Sequence, residues 1–136
     1  MPPPGARVID TGLVRFWRGD DGLIYDETYM EGVVEAEHMR RGLAAIAELT
    51  GGEPAPLVAV AGRSSEATRE ARQVLAGPEA VKLIAAMAVI APNPVMRVAL
   101  TFFMRVSRPP YPIRLFGTLA EAQAWAKTFL PRPHAP

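Results

Sequence analysis

The sequence predicts an α/β fold: a mixed, mainly parallel sheet whose elements follow the order ββαβαβαβα. Three observations carry this. Two short runs, LVAVA at 57–61 and AAMAVIA at 85–91, are apolar throughout and end against glycine or proline, as strands buried on both faces do. Helix-period segments alternate with these runs, which implies parallel strands joined by right-handed crossovers. Finally, GDDG at 19–22 separates two strand-like stretches and reads as a hairpin that adds an antiparallel edge.

Taken in order, LVRFWR at 13–18 and LIYDETY at 23–29 are the two arms of that hairpin. Residues 32–49 read as a helix with Met39, Leu43, Ile46, Ala47 and Leu49 on its apolar face, stopped by Thr50, Gly51 and Gly52. After the strand at 57–61, residues 65–76 read as a helix opened by Ser65 and closed by Gly77. A serine there caps the free amides of the first turn. Residues 78–83 form one or two helical turns and lead into the strand at 85–91. The last strand is 113–116 and the last helix 119–129. The proline-rich ends, 1–10 and 131–136, are expected to be flexible tails around a single domain at 11–130.

Residues 93–107, NPVMRVALTFFMRVS, form a helix that is apolar round most of its girth. At about 100° per residue, Arg97, Thr101 and Arg105 share one narrow stripe, and apolar residues fill an arc of roughly 240°. A surface helix needs little more than about 100°. The surplus requires a cover: a deep core, a second subunit, a ligand or a lipid surface. Met96, Phe102, Phe103 and Met104 are the large anchors and the candidate interface residues, because methionine and phenylalanine are enriched at interface cores. Arg97 and Arg105 are expected to face solvent. A sheet face lined by Ala85, Ala86, Ala88 and Ala91 offers a second place for a partner. The plainer reading places the helix centrally, covered by Trp125 and the PPYP segment at 109–112.

Composition narrows the classes further. The chain has 136 residues, 49% of them hydrophobic and 21% charged, with a formal net charge of +1. That is an ordinary globular balance, and it gives no field to attract nucleic acid. Arg97, Arg105, Arg108 and Arg114 are too few to make a basic stripe. There is no cysteine, which removes disulfides, thiolate catalysis and cysteine-based zinc sites and fits a cytoplasmic protein. The longest uncharged run, 83–96, is broken by Pro92 and Pro94 and falls short of the roughly 20 residues of a membrane span. No signal-peptide pattern opens the chain. Phosphate-binding glycine loops and the serine-nucleophile elbow are absent too, so no cofactor is expected.

The GDDG hairpin, the EATREARQVL helix, the AVIAPNPVMRVALTFFMR segment and the closing PPYPIRLFGTLAEAQAW together resemble STAS domains of the anti-sigma-factor-antagonist type. The likeness is closest to small bacterial STAS-like proteins of unassigned function, and it covers residues 13–129. It implies a non-enzymatic protein–protein interaction or regulatory module, expected to self-associate as a homodimer. It also implies a phosphorylated serine near the helix after the third strand, where Ser64 and Ser65 stand. No aspartate precedes these serines, and Glu66 would repel a phosphate, so capping is their favoured role. STAS-like folds resemble lipid-carrying CRAL-TRIO-like domains in architecture. The alternative function is therefore a carrier or sensor of a lipid or small apolar ligand, held in a groove beside helix 94–107.

Other polar clusters read as structural. His38 with Glu31 and Glu35 has helical spacing but lacks the converging ligands of a metal site. His134 lies in the C-terminal tail. Asp20, Asp21 and Asp26 suggest a cation site or an acid/base pair, yet aspartates at a hairpin tip are usual turn residues.

Overall fold

The computed structural model describes residues 2–60, 65–91, 93–107 and 110–131, with the backbone alone for Ser65, Glu66, Phe103 and Ser107. Its strands are β1 (Val8–Asp10), β2 (Val14–Arg18), β3 (Ile24–Thr28), β4 (Gly32–Val34), β5 (Ala55–Val60), β6 (Ser65–Ala67), β7 (Ile84–Ile90) and β8 (Ile113–Phe116). Its helices are α1 (Ala36–Thr50), α2 (Arg69–Leu75), α3 (Pro78–Leu83), α4 (Pro94–Ser107) and α5 (Leu119–Lys127). The main sheet runs β1-β2-β3-β5-β7-β8. β2 is antiparallel to both its neighbours, β1 and β3, and β3, β5, β7 and β8 are parallel. The mixed, mainly parallel α/β architecture is the expected one.

The β2–β3 turn is built from its own glycines and Asp21. The Gly19 N–H donates to Leu23 O at 2.9 Å, and Gly22 takes a φ of 85°, a conformation that costs glycine little. Asp21 Oδ1 accepts from the Leu23 N–H, and Asp21 Oδ2 accepts from the Tyr25 hydroxyl. The turn reading of this aspartate therefore holds.

Three local expectations are corrected. The sheet begins at Val8, inside the stretch expected to be a tail, because β1 pairs with β2 from Val8↔Trp17 to Asp10↔Arg15. Residues 32–34 are not helical. Gly32, Val33 and Val34 are poor helix formers, and they pair in parallel with Ser65, Glu66 and Ala67 in a separate two-stranded sheet. Ser65 consequently lies in β6 and does not cap a helix. Thr68 is the cap, its Oγ1 accepting from the Ala71 N–H at 3.1 Å.

Helices cover both faces of the main sheet. On one face Ile24, Leu57, Met87 and Val89 pack with Leu43 and Ile46 of α1 and Ala80 of α3, with Leu75 of α2 and Leu100 of α4 beside them. On the other face Tyr25, Val58, Ala88 and Ile90 pack with Ala122 and Ala126 of α5. The strand alternation is what separates the two sets. Each large side chain buried in this way contributes about 1.5–3 kcal/mol. The alanine-lined face is not available to a partner, since Ala86, Ala88 and Ala91 are all fully buried. Trp125 packs with the α5-side cluster, across the sheet from α4, and so does not cover that helix.

A candidate ligand cavity beneath the first and fourth helices

The α1 face of the sheet is not filled. A cavity of about 510 Å³ lies between the sheet and α1, α2 and α4, within the range of small-molecule pockets. Phe16, Leu57 and Met87 form part of its floor, Leu43 and Ile46 part of one wall, and Leu100 and Met104 of α4 part of another. Among the described residues Asp26, Thr28, His38 and Arg72 are its polar lining; the remainder are apolar side chains or glycine. Gly42 sets how close α1 comes to the sheet, since a Cβ there would meet Phe16 Cζ at 2.9 Å.

Asp26 is the unusual member. In β3 it shares parity with Ile24, so its side chain points to the α1 face and into the cavity. Among the described residues its carboxyl has no hydrogen-bond or ion-pair partner. Burial alone pushes its pKa up from 3.8 to about 7, because a charged carboxylate is poorly solvated there. Tyr111, whose hydroxyl donates to Leu75 O at 2.8 Å, is also shifted upward by burial and then by the charge of Asp26. His38 accepts the Glu35 N–H at its Nδ1 at 3.0 Å, which leaves the ring proton on Nε2.

Arg97 and Arg105 of α4 are exposed, as expected, but the exposed arc extends beyond their stripe. Met96, Leu100 and Met104, spaced four apart, are its part-buried side, and the last two line the cavity. Val95, Val98, Phe102 and Val106 point outward, at 77%, 71%, 69% and 68% exposure, within an arc of roughly 80°. The outward stripe is therefore apolar, and the Arg97–Thr101–Arg105 stripe lies on the flank. Arg97 is exposed but held: its Nε donates to Ala91 O at 2.9 Å. The four candidate interface residues are thus divided. Phe102 is on the outer stripe, Met96 and Met104 face inward, and the Phe103 side chain is outside the described set. Ser64 is outside it as well. Among the described residues no group of His, Cys, Asp or Glu is arranged to hold a metal, and no helix is long and apolar enough to cross a membrane.

The hairpin aspartates and Asp26 do not form one cluster. Asp26 was legible as a separate residue from period-two parity, since it sits two positions from the buried Ile24; its identity as a turn-neighbour obscured that.

A solved structure of an uncharacterized protein of the DUF3478 family from Shewanella loihica PV-4, described as having a SpoIIAA-like fold, is similar to this chain. The superposition has a TM-score of 0.58 at 13% identity, covering 93% of this chain and 98% of that one. This establishes the fold as SpoIIAA-like, that is, STAS-like. No curated protein matches the chain. The profile of DUF7793, a domain of unknown function, matches residues 16–130, nearly the whole folded region, and the chain belongs to that family.

Proposed function

We propose that this STAS-like module works by non-covalent binding, and that what it binds is a small, largely apolar molecule held between the sheet and helices α1 and α4. One observation carries the reading: the cavity of about 510 Å³, apolar but for four of the described lining residues, beneath a sheet face that α1 and α4 leave unfilled. A domain of this size normally packs its core with few voids larger than water, so an unfilled space of this size is the default binding site. Chemistry is disfavoured because Asp26 has no second group converging with it as nucleophile, base or oxyanion donor.

The test is titration of the purified chain with Nile red, a neutral apolar fluorophore. Saturable binding at one site, reduced at least tenfold by Leu100→Trp with the fold retained by circular dichroism, is the expected outcome. Purely non-saturable partitioning would reject the reading.

A second reading rests on a different observation, the outward apolar stripe Val95, Val98, Phe102 and Val106 of α4. Spacings of three and four residues make a continuous seam along one helix face. Such a seam suits the same helix of a second copy, and it supports a homodimer contact through this stripe more than through Met96 or Met104.

A further inference from the structure

Taking the ligand reading above as its basis, we propose that the molecule this cavity accepts carries a protonated amine, and that Asp26 is the residue that receives it. The geometry points there for three reasons. Among the described residues Asp26 is the one acidic residue lining the cavity, and its strand parity aims it inward from the middle of the sheet, opposite Phe16 on one side and Ala59 on the other. Its carboxyl, half-buried and lining the cavity, has no hydrogen-bond or ion-pair partner among the described residues. The free oxygens are acceptors waiting for a donor that the described part of the chain does not supply.

The choice among donors follows from charge. Among the described residues, the titratable and charged groups facing this space are His38 from α1, Arg72 from α2 and Tyr111 from the segment before β8, and α4 contributes Ala99, Leu100 and Met104. Burial is the sole cause of the Asp26 shift, so neither Arg72 nor His38 stands close enough to neutralise it. A ligand carboxylate would add a second anion to the same apolar space and is disfavoured. An alcohol donates one hydrogen bond and leaves the charge unbalanced. An ammonium group has three donors and cancels the charge, and its hydrogen bonds to a carboxylate are about twice as strong as neutral ones. Ionising Asp26 in the empty cavity is costly, and an incoming cation offsets that cost by pairing with the carboxylate as it forms.

The proton balance is explicit. The amine enters as R–NH3+. Asp26, protonated in the empty cavity below its raised pKa of about 7, gives its proton to solvent and pairs as the carboxylate. Binding of an amine at about pH 6 should therefore release close to one proton per site, and binding of an alcohol should release none.

The experiment compares octylamine, octanol and octanoate, all below their micelle concentrations, by calorimetry in two buffers of different ionisation enthalpy. Octylamine should bind one site at least tenfold more tightly than octanol, with octanoate weakest, and only the amine should release a proton at about pH 6. Asp26→Asn should lower octylamine affinity tenfold or more and leave octanol within twofold; Asp26→Ser provides the same comparison should the first variant fail to fold. Octanol binding as tightly as octylamine, or an amine affinity unmoved by either substitution, overturns the role of Asp26 while leaving a ligand cavity in place. Failure of all three probes to saturate a site overturns the ligand reading together with it.

Discussion

Asp26 lies directly opposite Phe16 in the β2–β3 register, and both side chains face the cavity beneath α1. A carboxyl beside an aromatic ring on an apolar floor is costly to ionise, and the cost has a definite sign. Its folded pKa, raised to about 7, stands above its ordinary 3.8. Below about pH 4 the group is protonated in both states and carries no penalty. Between about pH 4 and 7 the unfolded chain is ionised and the folded one is not, so stability falls across that window and levels off above the folded pKa of about 7. The loss is on the order of 4 kcal/mol. Asp26→Asn should remove this slope, leaving the variant more stable than the wild type at pH 8 and close to it at pH 4. Urea melts at several pH values measure it. A wild-type curve that is flat between about pH 4 and 7 would contradict the assigned environment.

Helix α2 should depend on Thr68. Its hydroxyl accepts from the Ala71 N–H, and removing such a cap costs about 0.5–2 kcal/mol. Thr68→Ala should show that loss in chemical denaturation. Ser65→Ala should not lose a cap, because residue 65 pairs with Gly32 in a strand.

The contrast between those two positions shows where the sequence was readable. The hairpin, the apolar strands 57–61 and 85–91 and the helix at 94–107 were legible because each is coded locally, by turn glycines, by continuous burial or by helical period. The β4–β6 pair was not, because Gly32–Val34 and Ser65–Ala67 stabilise one another only across thirty-odd residues of intervening chain. Ser65–Ala67 carries no strand signal of its own, and the two valines of Gly32–Val34 are too short a run to make one. The rotation of α4 was hidden for a related reason. Its apolar arc was wide enough to permit several orientations, and the bond from Arg97 to Ala91 O, which selects one, is a contact to another element. The cavity itself is a property of packing, and no periodicity reports it.

Arg97 and Gly117 hold that orientation. A Cβ at Gly117 would collide with Arg97 Nη2, so the side chain that bonds Ala91 O also lies across the end of β8. Gly117→Ala should displace it. The expected readout is faster amide exchange along α4 with little change elsewhere, since the helix has no other described hydrogen bond to the sheet. Exchange unchanged in α4 would show that Arg97 does not anchor it.

The outer stripe makes its own prediction. Phe102 is 69% exposed, so Phe102→Asp should leave the fold intact, within about 0.5 kcal/mol. If the stripe joins two copies, light scattering should show the wild type as a dimer and the variant as a monomer, because a packed contact does not tolerate an unpaired charge. A wild type that is monomeric at high concentration would remove the self-association reading without touching the cavity.

Filling the cavity separates a binding site from a packing defect. Ala59 is paired with Asp26 in the β3–β5 register and lines the same space. A leucine there adds three carbons to a floor that has room for them. In a close-packed core such a change strains its neighbours and costs about 1–3 kcal/mol. Here it should raise stability instead, by about 0.5–2 kcal/mol, as cavity-filling substitutions commonly do. The same side chain would occupy the position beside the carboxyl, so ligand affinity should fall at least tenfold. Stability and binding then move in opposite directions, the pattern expected when a void is kept for function at the expense of packing. A variant that is less stable would mean that the space is narrower than the geometry of Phe16, Ala59 and Met87 implies. A variant that is more stable yet binds apolar probes as well as before would place the ligand elsewhere on the molecule.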